Sequence, residues 1–162
     1  MIEMELVGVR VEFPGPAPIV LLKETNERGL VLPIFIGNAE ANAIDIHLRN
    51  DSPPRPMTHD LFATALKEMN ASLTKVVVTE IDDKTFFAEI HFETVDGTKT
   101  ISSRPSDAIA LAVRMSSPIY AEEAVLAAPG HKIREDIEDS EEDVLSEFRD
   151  FLDDVSPEDF SA

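Results

Sequence analysis

A chain of 162 residues, 43% of them hydrophobic, is long enough for one compact core, and its composition shifts only near residue 130, so one domain followed by a tail is expected. With no cysteine it can hold no disulfide, thiolate zinc site or cysteine nucleophile, and any metal would have to take His and carboxylate ligands. The net charge of −18 is uneven: residues 131–162 carry 13 acidic and 3 basic side chains, leaving 19 acidic and 11 basic on residues 1–130, with no basic run anywhere. Nonspecific nucleic-acid binding rests on Lys and Arg displacing counterions, so a broad DNA-coating surface is argued against. A small cleft lined by Arg and bridged to phosphate by a divalent ion remains open.

The opening MIEMELVGVRVEF has neither a basic region followed by an apolar run nor a small-residue cleavage site. Nothing later approaches the roughly 18 consecutive apolar residues of a membrane span, and a cytoplasmic protein is expected. Residues 4–13 alternate Leu6, Gly8, Arg10 and Glu12 against Val7, Val9, Val11 and Phe13, which is strand periodicity. A turn at 14–18 leads to strands over 19–23 and 30–36, and Gly37 leads into a helix over 39–49. Three prolines make 50–57 a loop, after which Thr58 is a good N-cap for a helix over 60–69.

The second half repeats that order. Strands are expected over 75–81, 85–92 and 98–102, joined at Asp82-Asp83-Lys84 and at the hairpin signal Asp96-Gly97, before a helix over 106–115. An extended piece at 118–121 and a helical turn at 122–127 follow. The two helices share a motif: AIDIHLRNDSP (43–53) and AIALAVRMSSP (108–118) repeat Ala, Ile, Arg, Ser and Pro at an offset of 65. This reads as a duplication, about 1–53 and 75–118, in an α+β domain whose β-β-β-α units form antiparallel or mixed sheet with helices packed on it.

Beyond residue 130 the composition is that of an acidic linker. A C-terminal acidic helix is expected to restart near Ser140, with an apolar stripe of Val144, Phe148, Phe151, Leu152 and Val155. That stripe fits docking on the parent domain or a symmetry mate, or else covering a phosphate-binding cleft.

The common phosphate and nucleophile motifs are missing: there is no Walker loop, GxGxxG, GxSxG or HExxH. The histidines His47, His59, His91 and His131 are too far apart in sequence for a local metal site. Glu80-Ile81-Asp82-Asp83-Lys84 looks like a nuclease-core ending but fits a solvated hairpin tip better. Two polar clusters stand at helix starts. In RPMTHD (55–60) a purely structural reading gives Thr58 the cap and Asp60 the helix dipole, but leaves Arg55 and His59 without a role. In SRPSD (103–107) Pro105 suits a first helical turn and Ser103 or Ser106 a cap, with Arg104 left over. Glu40 stands at the equivalent start in the first unit, so Glu40, Arg104 and Asp107 are placed to face one another.

Taken together, LPIFIGNAEANAI (32–44), RPMTHDLF (55–62), SRPSDAIALAVR (103–114) and PIYAEEAVL (118–126) resemble the bifunctional nuclease family, over about residues 1–130. The ending EFRDFLDDVSPEDF is similar to actinobacterial members. The resemblance implies a nuclease acting on DNA and RNA. On that reading Asp60, Asp107 and Glu40 are candidate ligands for Mg²⁺ or Mn²⁺, since hard cations prefer oxygen. His59 is the candidate general base, and Arg104, helped by Arg55, holds the scissile phosphate. The competing expectations are a binding or regulatory module, using the cleft for a small anion or the tail for a partner, and a mainly structural oligomer. Six strands leave edges to protect, so a homodimer or larger assembly is expected.

Overall fold

A computed structural model describes residues 1–11, 17–51 and 53–127. The expected acidic helix, and residues 14–16 of the turn expected at 14–18, lie outside these residues. Strands β1 (Ile2–Val11), β2 (Pro18–Glu24) and β3 (Val31–Phe35) lead into α1 (Asn38–Leu48), and α2 (Thr58–Glu68) follows. Strands β4 (Ser72–Asp82), β5 (Thr85–Thr94) and β6 (Gly97–Ser103) then lead into α3 (Pro105–Met115), with β7 (Ile119–Ala121) and α4 (Glu123–Ala127) completing the order.

One seven-stranded sheet results, in the order β3-β2-β1-β7-β4-β5-β6. Each half is an antiparallel meander set by its local turn chemistry. Asp83 and Lys84 both take left-handed backbone conformations, φ 42° and 64°, the pair a two-residue hairpin needs. At the next hairpin Gly97 pairs with Thr94 at φ 101°, a conformation a glycine tolerates without strain. At the β2–β3 turn the buried carboxylate of Glu24 accepts from the Leu30 N–H and from Arg28.

Within the sheet, among the described residues, the two meanders are joined by β7, which pairs antiparallel with β1 and parallel with β4. The extended piece expected at 118–121 is therefore the centre of the sheet, which among the described residues has seven strands rather than six. Three residues are too few to show any periodicity, and β7 gains its place from both neighbours rather than from its own pattern.

Buried side chains of the sheet, among them Val20, Leu22, Leu32, Ile34, Val76, Val78, Ala88 and Ile90, join Ile44, Ile109, Leu111 and Val125 from the helices in one apolar core. Fully burying a side chain of this size contributes about 1.5–3 kcal/mol. Helix α3 packs on β4 and β5 and touches both α1 and α2, which puts it at the middle of the helical layer.

Two capping expectations are corrected. Helix α2 begins at Thr58 itself and its N-cap is Met57, because Asp60 reaches back to accept the Met57 N–H at 2.9 Å and fixes the start one residue earlier. Helix α3 begins at Pro105 with Arg104 as N-cap, and neither serine caps it. Ser106 is buried within the helix, and the Ser103 Oγ, at the end of β6, is buried with no hydrogen-bond partner among the described residues.

Candidate functional site

Three helix starts converge to build the site. The extended backbone of Gly37 turns the chain from β3 into α1, that of Arg104 turns it from β6 into α3, and Met57 opens α2. Pro105, at the first helical position, has no N–H to waste and pre-sets the turn that presents Arg104. Because α3 lies between the other two helices, residues from distant parts of the sequence meet at its N-terminal end.

The contacts form a continuous polar chain. His59 Nε2 lies 3.0 Å from Asp107 Oδ1, and Arg104 Nε donates to Asp107 Oδ2 at 2.8 Å. Arg104 Nη2 donates to Glu40 Oε1 at 2.8 Å and to Asp107 Oδ1 at 3.2 Å. Exposure is graded along it: the side chains of His59 and Glu40 are 15% and 17% exposed, Asp107 30% and Arg104 66%. Arg104 is thus a solvent-facing cation carried on two carboxylates, and its Nη1 has no partner among the described residues. The ring nitrogen Nδ1 of His59 is likewise unpaired among them.

Charge follows geometry. Burial would raise Asp107, but hydrogen bonds from Arg104 and His59, with their charges, outweigh it and hold the carboxyl below the usual carboxylate range. The same pairing raises the Arg104 guanidinium, the hydrogen bond to Asp107 contributing most.

Asp60 belongs to a different network. Its carboxylate accepts from Arg114 Nε, whose side chain is only 4% exposed, and from the Met57 N–H. Arg114 also donates to the carbonyls of Ala110 and Ala43, both at 2.9 Å, so one guanidinium ties α1, α2 and α3 together. Here too burial, which would raise Asp60, is outweighed by Arg114 and the Met57 N–H, and the carboxyl is lowered.

Of the residues expected at the site, His59, Asp107, Arg104 and Glu40 are brought together, whereas Asp60 is held by Arg114. Arg55 lies exposed in the loop before α2, with no ion-pair partner among the described residues. No group of three or more His, Asp or Glu side chains among those residues is gathered to hold a metal ion.

Two residues contribute beyond what sequence reasoning gave them, which was no role for Arg114 and only the lead into α1 for Gly37. Arg114 had a signal, its recurrence with Arg49 in the repeated motif, but not one that distinguished a buried copy from an exposed one. Gly37 had none. A Cβ built on it would fall 2.2 Å from Glu40 Oε2, so the absence of a side chain is what lets Glu40 fold back toward the start of α1.

The family model of the bifunctional nuclease domain matches residues 20–134. A protein of Mycobacterium tuberculosis named only as uncharacterized is 41% identical over 165 residues, covering 99% of this chain and 98% of its own length. Bifunctional nuclease 1 of Arabidopsis thaliana is 27% identical over 124 residues, 75% of this chain and 38% of the plant protein. Bifunctional nuclease 1 of Oryza sativa subsp. indica is 23% identical over 128 residues, 77% of this chain and 39% of the plant protein. The chain thus spans well under half the length of the plant relatives it matches.

Proposed function

Since the chain belongs to the bifunctional nuclease domain family, we propose that it hydrolyses phosphodiester bonds in DNA or RNA, at the polar chain His59–Asp107–Arg104. The observation that carries the reading is the 3.0 Å contact between His59 Nε2 and Asp107, a carboxylate also held by the exposed Arg104, which leaves Nδ1 of the same ring unpaired among the described residues. A carboxylate on one ring nitrogen fixes the tautomer that makes the other a base. In the proposed step a water oxygen forms the new bond to phosphorus while its proton passes to His59 Nδ1. The bond to the departing oxygen breaks, and that oxygen takes a proton from solvent. Arg104 Nη1 meets the negative charge that grows on the non-bridging oxygens, and Arg55 is available to hold a neighbouring phosphate.

Asp60, Asp107 and Glu40 do not by themselves make a metal site, each being engaged by a guanidinium. No step is therefore routed through Mg²⁺ or Mn²⁺, and a metal requirement is a variable of the test. Labelled single-stranded DNA and RNA are incubated with Mn²⁺, Mg²⁺ or EDTA, using wild type and His59→Ala purified identically. Loss of cleavage by a factor of about 100 or more in the variant supports the assignment. Equal cleavage, or none, in both preparations makes a non-enzymatic binding module the better reading. With so few cations at the site, binding should fall only gently with salt, by a slope of about −0.7 per phosphate contacted.

A further inference from the structure

Arg104 has two of its three nitrogens already occupied, Nε by Asp107 and Nη2 by Glu40 and Asp107. Its two hydrogen-bonded partners are carboxylates, and with a neutral imidazole the group Glu40, Asp107, Arg104 and His59 sums to one negative charge, which opposes an incoming phosphate. The two carboxylates are not held alike. Asp107 bridges two partners and accepts twice from Arg104, the N-cap of its own helix. Among the described residues Glu40 has a single hydrogen-bonding partner, through Oε1, and that partner is 66% exposed.

Its position makes this weak anchorage noteworthy. Glu40 is the third residue of α1 and Asp60 the third residue of α2, so each is spaced to reach back to its N-cap N–H. Asp60 does so, and is further clamped by Arg114. Glu40 makes no such bond: its Oε2 lies over Gly37, in the space a Cβ would fill, and its Oε1 faces Arg104. A single ion pair whose guanidinium faces solvent is screened by water and is easily exchanged.

We propose that Glu40 is an internal stand-in for the ligand's anionic oxygen: it occupies Arg104 at rest and is displaced by a phosphate group, with Gly37 keeping the space that lets it sit there. This rests on the reading of Arg104 as the phosphate-binding residue, and it gives Glu40 the opposite sign from a metal ligand or a simple structural partner. Removing it strengthens phosphate binding instead of weakening it.

The test measures binding of a fluorescent single-stranded oligonucleotide, and separately of inorganic phosphate, to the full chain in EDTA. Wild type, Glu40→Gln, Gly37→Ala, Arg104→Gln and the double variant Glu40→Gln/Arg104→Gln are compared, with thermal melts confirming folding. Glu40→Gln should bind about tenfold more tightly, the effect of deleting one negative charge a few ångströms from the site, and the gain should vanish in the double variant. Gly37→Ala should share part of the gain at little cost in stability, because the atom its Cβ meets is the movable end of a side chain. Unchanged or weaker binding by Glu40→Gln, while Arg104→Gln still loses affinity, overturns the stand-in role and leaves the site intact. Binding that ignores Arg104→Gln overturns the phosphate site as well.

Discussion

Helices α1 and α3 carry the same motif, yet the fold treats them differently. Ile44 and Ile109, equivalent at the 65-residue offset, are both fully buried, but the next pair diverges: Leu111 is 1% exposed and Ile46 only partly buried. By the last pair Leu48 is 40% exposed. The arginines diverge most. Arg114 is 4% exposed and joins three helices, while Arg49, the C-cap of α1, is 68% exposed and among the described residues pairs only with Asp45 of that helix. Sequence sets which face of each helix is apolar, but position in the layer sets how much of that face is covered. Because α3 has a neighbour on each side, the arginine that decorates one copy becomes a tie in the other.

Mutation can break this comparison, and the largest effect should come from the arginines. Arg114→Met should cost about 3 kcal/mol by leaving Asp60 and two carbonyls without their partner. Arg49→Met should fall within about 0.5 kcal/mol. Urea midpoints at constant slope measure both, and equal losses would show that the two helices are equally embedded. Next, Leu111→Ala should lose about 3 kcal/mol and Ile46→Ala about 1 kcal/mol.

Acid sharpens the contrast further. Asp60 and Asp107 titrate below the usual aspartate value when folded, so the stability they contribute is present above about pH 4 and lost as pH falls through their folded values. In Arg114→Met the Asp60 share should disappear, and midpoints measured from pH 6 to pH 3 should decline less than in wild type. The smallest expected effect concerns the outer strands. We expect β6, an edge strand with Ile101 51% exposed, to pair across a two-fold axis, and sedimentation showing only monomer at micromolar concentration would reject that.

Much of this was legible in the chain. Both meanders, both motif helices and α2 follow from apolar periodicity and turn residues, and Glu40, Arg104 and Asp107 meet as their places at two helix starts suggested. What was not legible depended on contacts distant in sequence. The extended piece expected at 118–121 is too short to announce that it joins the two halves of the sheet, and nothing local to Asp60 says that Arg114, 54 residues on, claims it. Thr58 is the better capping residue by type, yet Asp60 sets the helix start through the backbone of Met57. Gly37 matters through an absent atom, which no pattern of side chains can reveal.

The central place of β7 also governs when the domain can assemble. Ile2 pairs with Ala121, and Val78 pairs with Ala121 from the other side, so the sheet stays in two unjoined pieces until that residue is available. During synthesis each meander can form from near neighbours as it emerges, but their union must wait for almost the whole domain to leave the ribosome. Contacts between such distant residues close slowly, and until they do the inner edges of β1 and β4 stand open as places where a nascent chain can pair wrongly.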